Sequence, residues 1–332
     1  MKQYLKELLM LMGEDKKKLP WLLLLFFLVS FLDIAGIGLI GPYVSIVIEP
    51  DLAKDIIAKH VSWIKIPSDV NSLLMIMSIL LLGIFFIKTI SGIWINYIII
   101  KFSFKQRMRL GVMLMNNYQN MRYIDFLKRN SSEYIHTTQN LVNEYSIGIL
   151  QSGMKMLCDG IVGVAILTLL AITNLQAFSL LFGMLMIFIV LYDKAFRNKV
   201  KVFGKKTNIA NIKMVKGIHE GLDGLKEIRV LGSEEYFLNQ VRDGAIKNNK
   251  YGLYHGMIKE ITRYLIEFLL VLFVVILVML TLASGDSLQN LLPTLAMFGL
   301  AAVRLLPTAN IISKGLTTFR FQRDSISRLY ND

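Results

Sequence analysis

Several residue types are scarce in this 332-residue chain, and each scarcity excludes a class of protein. There is one cysteine, Cys158, so an intrachain disulfide is impossible. No Ser-His-Asp arrangement and no pair of carboxylates stands out as a catalytic group. The few histidines do not have the spacing of a metal-binding motif; they are His60, His136, His219 and His255. The sequence therefore predicts neither a disulfide scaffold, nor a metal centre, nor a hydrolytic site.

A nucleotide-binding loop is missing as well. The tetrapeptide GKKT at 204–207 ends like a phosphate-binding loop, but the first glycine of G-x-x-x-x-G-K-[ST] is absent and no strand precedes it. We therefore expect no ATPase within these residues and no cofactor bound by the chain.

Alternation between apolar and polar residues is rare. The chain is 54% hydrophobic, with a mean hydropathy of +0.52, whereas the helices and strands of a soluble domain have one polar face. Each apolar run reaches the roughly 17–25 residues that cross a bilayer core, where only helices satisfy their own backbone groups at such lengths. The sequence therefore predicts an all-α membrane protein with six transmembrane helices. They lie at about 20–48, 72–100, 145–173, 175–193, 263–284 and 290–313.

Acidic residues are fewer than basic ones, 24 against 37, and the formal net charge is +13. The basic residues collect before the first apolar run, in 101–140, in 193–260 and after residue 312. Because such residues concentrate on the cytoplasmic side, we expect both termini and both long loops in the cytoplasm. The charge also favours contact with anionic membrane lipids. Nucleic-acid binding is not expected, because the basic residues flank the spans and do not alternate with exposed aromatic residues.

The helical pattern continues beyond the membrane. From 71 to 121 the chain contains no proline, and a helix of this length is about 75 Å long, more than twice the apolar thickness of a bilayer. Similar helices are predicted at 131–174, 175–221 and 234–283. Four long helices are therefore expected to project into the cytoplasm, joined in pairs by short breaks.

One segment between the first two spans has a different character. Residues 51–66 place apolar side chains largely on one face and polar side chains on the other, between Pro50 and Pro67. A short amphipathic helix in the outer interface, with Trp63 among the headgroups, is one interpretation. An ordinary polar loop is the alternative.

Six spans with paired cytoplasmic extensions resemble the transmembrane domain of ABC exporters of the type IV fold. The stretch NYQNMRYIDFLKRNSSEYIHTTQNLVNEY is similar to the first coupling helix of these exporters, with Tyr123, Phe126 and Glu133 at matching positions. Where the family often has glycine before that glutamate, this chain has Ser132. The stretch IHEGLDGLKEIRVLGSEEYFLNQV resembles the second coupling region, with Glu227 and Ile228 in place.

The resemblance implies a partner that drives transport. It implies a domain-swapped homodimer, so that a second copy of the chain is one partner. The other is an ABC nucleotide-binding domain, either truncated from this sequence or a separate chain, which binds ATP and Mg²⁺. The coupling segments would then be about 122–132 and 221–233, and the five matching residues would contact that domain.

A closer resemblance is to the bacterial flippases of polyprenyl-diphosphate-linked oligosaccharides in protein N-glycosylation. The sixth span, FGLAAVRLLPTANII, is similar around Arg304, and the fifth, ITRYLIEF, has the Arg-x-x-x-Glu pattern at Arg263 and Glu267. In FFIKTISG of the second span, Lys88 stands where those flippases tend to have arginine. The resemblance implies a bacterial inner-membrane protein whose cargo is a lipid-linked saccharide.

Ionisable residues inside membrane spans are costly and often functional. Lys88, Arg263 and Arg304 are therefore candidates for binding a diphosphate headgroup, which arginine contacts as a fork and lysine as a point charge. Alternatives remain for two of them: Arg263 could pair with Glu267 one turn later, and Lys88 could neutralise Asp33. Export of a peptide, drug or other lipid, and a membrane scaffold without a motor, are the competing functions.

Overall fold

The computed structural model describes residues 2–48, 70–283 and 288–332, and every regular element in these ranges is helical. The predicted amphipathic segment 51–66 lies outside the described residues. The helices are α1 Lys2–Leu11, α2 Leu19–Ile48, α3 Val70–Gln119, α4 Tyr123–Phe126, α5 Ser131–His136, α6 Gln151–Thr173, α7 Leu175–Asp223, α8 Leu225–Leu231, α9 Glu234–Ala283, α10 Leu288–Phe321 and α11 Arg323–Asn331.

Three helices are much longer than a bilayer is thick. Helices α3, α7 and α9 contain 50, 49 and 50 residues, which corresponds to about 75 Å each. A fourth helical path runs from α5 to α6, because Thr137–Leu141 and Glu144–Leu150 continue it as π-helix. The helix bounds expected from the sequence agree with these four elements within a few residues. The tight turn between α6 and α7 is formed by Asn174, whose side chain accepts a hydrogen bond from the Ala177 amide at 3.0 Å and caps α7.

Four helices in the described part of the chain are long and apolar enough to cross a membrane: Leu74–Gln119, Ser131–Ile172, Leu175–Asp223 and Glu234–Leu280. The other two predicted spans, 20–48 and 290–313, are helical in α2 and α10. The chain is thus a multi-pass helical membrane protein, and the count of six spans stays a prediction.

The long helices α7 and α9 pack together along their lengths as an antiparallel pair. Phe203 stacks on Tyr251 and Tyr254 at one level, and Met214 lies against Gly244 further from the membrane. A side chain at Gly244 would come within 3.0 Å of the Met214 backbone, so the absence of one permits this close approach. The pair therefore forms one stiff arm that ends at α8.

Two larger apolar cores hold the helices together in the described part of the chain. One, between α2, α3, α11 and the π-helical segment, is centred on Phe26, Leu110 and Tyr145. The other joins α6, α7, α9 and α10 around Ile166 and Phe273. These cores fix the position of the α7–α9 arm relative to the other helices.

The N-terminal helix α1 fastens the two ends of the chain together. Its Glu7, which is 4% exposed, forms an ion pair with Arg323 of α11 at 2.8 Å, and the Tyr4 hydroxyl donates to the Phe319 carbonyl at 3.1 Å. In the following 3-10 turn, Asp15 accepts hydrogen bonds from Lys18 and Gln106, both at 2.6 Å. These bonds hold the pKa of the Asp15 carboxyl below its usual value.

Candidate functional site

The first predicted coupling segment contains the short helix α4. A backbone turn at Arg122 starts it, and Asp125 then pairs with Lys128 at 2.6 Å and with Arg122 at 2.8 Å. Hydrogen bonds from these two cations lower the pKa of the Asp125 carboxyl. The charged residues are thus occupied with one another, while Tyr123 is 74% exposed.

Aromatic stacking fixes α4 against the start of the next helix. The ring of Phe126 is nearly parallel to that of Tyr134, with centroids 5.0 Å apart, and the centroid of the Tyr123 ring lies 6.5 Å from that of Phe126. The Tyr134 hydroxyl also donates to the Phe126 carbonyl at 3.3 Å. Of the predicted contact residues in this segment, Tyr123 is therefore open to the surroundings, whereas Phe126 mainly supports it. Glu133, in the first turn of α5, is half-buried.

The second predicted coupling segment is the short helix α8. It ends at Gly232, whose φ of +63° favours glycine, and the Ser233 amide donates back to the Ile228 carbonyl at 3.0 Å. Ile228 is only 7% exposed, so it anchors α8 to the arm, whereas Glu227 is exposed. Beside it is a cavity of about 530 Å³, lined by Glu220, Gly224, Glu227, Ile228, Leu231, Ser233, Tyr236 and Phe237.

Both segments expose large apolar side chains outside the predicted spans. In α4 and after it these are Ile124 and Leu127, 65% and 58% exposed. Around α8 they are Val230 and Leu231, 80% and 74% exposed, and Tyr236 at 67%. Apolar side chains clustered at one end of a molecule mark an interaction surface, and we call this set, with Tyr123, the coupling surface.

Asn130 connects the two segments. Its side-chain oxygen caps α5 by accepting from the Ser132 amide at 3.0 Å, and its side-chain nitrogen donates to Glu220 of α7 at 3.1 Å. Asn130 is not among the residues predicted from the sequence. Asn130 followed by Glu133 three positions later is a capping-box pattern, and this signal could have found the cap, but the contact with Glu220 leaves no trace in the sequence.

A buried polar network that was not predicted from the sequence links α11 to the α7–α9 arm. Asn208 of α7 donates to Ser325 at 2.9 Å and to Asp324 at 3.1 Å. The Ser325 hydroxyl in turn donates to Glu144 in the π-helical segment, and π-helical turns are often retained at functional sites. The two helical paths that leave the coupling surface, α5–α6 and α7, are thus both attached to α11.

The three predicted diphosphate-binding residues lie on three helices. Arg263 of α9 forms an ion pair with Glu267 at 2.9 Å. This is the pair that was considered above as the alternative to a role in binding cargo. Arg304 is half-buried on α10, which packs against α9.

Lys88 is half-buried on α3, and its amino group lies 4.8 Å from the centre of the Phe85 ring. Helix α3 packs mainly against α2, α6 and the π-helical segment. The described part of one chain therefore brings Arg263 and Arg304 onto neighbouring helices and leaves Lys88 on another part of the bundle. The side chain of Asp33, its alternative partner, lies outside what the structure describes.

The fold defines a multi-pass helical membrane protein with long helices that extend beyond the bilayer. Residues 19–301 match the family described as ABC transporter transmembrane region. This match covers most of the chain, which therefore belongs to that family. It includes α2 to α9, both coupling segments and two of the predicted cargo-binding residues, Lys88 and Arg263, whereas Arg304 lies just beyond its end.

Proposed function

We propose that the chain is the membrane-spanning half of an ATP-driven exporter that flips a polyprenyl-diphosphate-linked oligosaccharide, or a related lipid-linked saccharide. The chain would cross the bacterial inner membrane six times, with both termini in the cytoplasm, and work as a domain-swapped homodimer. ATP and Mg²⁺ would bind to a separate or truncated nucleotide-binding domain. The observation that supports this most is the coupling surface, since it lies at the far end of helices that continue into the bilayer.

The coupling surface suits transmission of force. Asn130 and Glu220 tie the two segments together, and the α7–α9 arm is closely packed where Gly244 meets Met214. A push on α4 or α8 by a partner would therefore move whole helices and would not be absorbed by local bending. Rigid-body motion of this kind is a common basis of alternating access.

The cargo assignment rests on the intramembrane cations. The side chain of Arg263 is half exposed in its pair with Glu267, so a diphosphate could reach the guanidinium and replace the carboxylate as its partner. Arg304 on the neighbouring helix could contact the diphosphate through a second bidentate guanidinium. Lys88 would join them only if a second copy, or a closed conformation, brought α3 close to α9 and α10.

A flipping assay in proteoliposomes tests the cargo. The protein would be reconstituted with its nucleotide-binding partner, and movement of a fluorescent polyprenyl-diphosphate oligosaccharide would be measured. We expect Arg304→Ala to reduce flipping at least about tenfold, because loss of one buried charged contact costs more than about 1.4 kcal/mol, and Arg304→Lys to reduce it less. Unchanged flipping by Arg304→Ala would refute the saccharide assignment, and transport of a peptide, drug or other lipid would replace it.

ATPase measurements test the coupling surface separately. In the reconstituted complex, we expect Tyr123→Ala and Glu227→Ala to abolish most of the stimulation of ATP hydrolysis by cargo. Lys247→Ala, an exposed change on α9 away from both segments, is the control and should leave the stimulation intact. Full stimulation in Tyr123→Ala and Glu227→Ala would show that the motor binds elsewhere, and if no ATPase associates with the chain at all, a scaffold role replaces transport.

A further inference from the structure

A lysine without a counter-ion lies near the membrane end of the α7–α9 arm. Lys259 of α9 is half-buried. In the part of the chain that the structure describes, no ion pair joins its amino group to a carboxylate; Glu260 attracts it only at longer range and is itself paired with Lys314. Removing a charge from water without a partner is unfavourable, so an anion that is absent from the isolated chain is the natural complement.

The carboxylates near Lys259 are already paired with other cations. Lys314 of α10 pairs with Glu260 at 2.6 Å, and Arg263 pairs with Glu267 at 2.9 Å. The charges of Lys259 and Lys314 repel each other across the contact between α9 and α10. Two carboxylates thus serve three cations, and Lys259 is the one of the three without an ion pair among the described residues.

The position of this surplus charge along the helices corresponds to the membrane surface. The apolar stretches begin at about residue 263 in α9 and end at about 313 in α10, so Lys259 lies about 6 Å outside the apolar layer and Lys314 lies next to its end. One turn before Lys259, His255 stacks on Phe321 with ring centroids 3.8 Å apart, and its buried Nε2 atom has no hydrogen-bond partner. Phosphate groups of lipids occupy this level of a bilayer, and because the side is rich in basic residues it is the cytoplasmic one.

We infer that Lys259 and Lys314, between α9 and α10, form a binding site for the phosphate group of an anionic lipid in the cytoplasmic leaflet. A lysine ammonium is a compact point charge with three donors, which suits a phosphate whose orientation varies. The headgroup of a bulk phospholipid and the phosphate of a polyprenyl-linked lipid share this chemistry. The site does not depend on the cargo assigned above.

Lipid binding to the full chain in detergent, followed by native mass spectrometry, tests the site. The probes are phosphatidylglycerol and a polyprenyl monophosphate, with diacylglycerol as the uncharged, phosphate-free reference. A lysine near an anionic surface contributes enough to change the binding constant about fivefold. We expect Lys259→Gln to bind at least one probe about fivefold more weakly than the wild type does, and Lys259→Arg to bind it as the wild type does.

Lys250→Gln is the matched control, since Lys250 is exposed on the same helix further from the membrane. If Lys259→Gln weakens the binding of phosphatidylglycerol alone, the site belongs to bulk lipid. If it weakens the binding of the polyprenyl phosphate alone, the site belongs to lipid-linked compounds, and weaker binding of both supports a general phosphate site. If Lys259→Gln does not fold, Lys314→Gln replaces it and should weaken binding in the same direction. Variants that bind both probes as Lys250→Gln does would overturn the inference.

Discussion

The crossing of α7 over the end of α10 depends on a glycine, and this gives a quantitative prediction. Gly204 is buried, and a Cβ atom there would overlap the Phe321 carbonyl oxygen, lie 2.7 Å from the carbonyl carbon and lie 3.1 Å from its Cα. All three are backbone atoms, so no change of rotamer removes the clash. Gly204→Ala therefore forces α7 and α10 apart.

The expected change in the free energy of unfolding of Gly204→Ala is the sum of two opposing contributions. Overpacking costs about 1–3 kcal/mol, and we take about 3 kcal/mol because the neighbour is rigid. Alanine is favoured over glycine in a helix by about 1 kcal/mol, so the net loss is about 2 kcal/mol. Gly252→Ala is the matched control: Gly252 is exposed on α9, and nothing lies within 4 Å of a Cβ there. That variant should gain about 1 kcal/mol, which leaves a difference of about 3 kcal/mol between the two.

Thermal unfolding of the two variants in the same detergent measures this difference. At about 2 °C per kcal/mol, Gly204→Ala should unfold roughly 6 °C below Gly252→Ala. Equal unfolding temperatures would refute the packing of α7 against α10 that the structure shows.

Two further changes test the contacts that position the coupling surface and the N-terminal turn. Asn130→Ala should lower the free energy of unfolding by about 1–2 kcal/mol, because it removes the cap on Ser132 and the bond to Glu220; Asn130→Asp keeps the cap, so if it is as stable as wild type the bond to Glu220 contributes nothing. The pKa of Asp15 is lowered in the folded state, chiefly by Lys18, so its contribution to stability is full above the unfolded pKa near 4 and is lost as the pH falls through the folded value. Unfolding temperatures of wild type should therefore fall more steeply below about pH 4 than those of Asp15→Asn, and parallel curves would contradict the role of this carboxylate.

Much of the helical framework could be predicted from the residues alone. Apolar runs and the absence of proline from 71 to 121 indicated helices longer than the bilayer, and the observed α3 runs over Val70–Gln119. The breaks around α4 and α8 were expected from the helical pattern, and a coupling role for them was implied by the resemblance to the exporter family. Local helix formation depends mainly on nearby residues, so such features can be predicted without knowledge of the packing.

The candidate site was predictable only in part. The predicted contact residues lie in and next to α4 and α8, but their sequence pattern does not show that Phe126 and Ile228 support the surface from behind while Tyr123 is exposed. That distinction depends on the stack with Tyr134 and on the burial of Ile228, which involve neighbouring elements.

The sequence by itself determined the class of this protein, its long helices and the positions of its breaks, because hydropathy and backbone preference act over a few turns. Only the tertiary structure decided how charged and polar groups are paired. Asn130 meets Glu220 ninety positions away, and Asn208 meets Ser325. It also showed that Lys259 has no ion pair within the described part of the chain while Lys314, which repels it, is paired with Glu260, since the partners of a charge are set by which helices pack together.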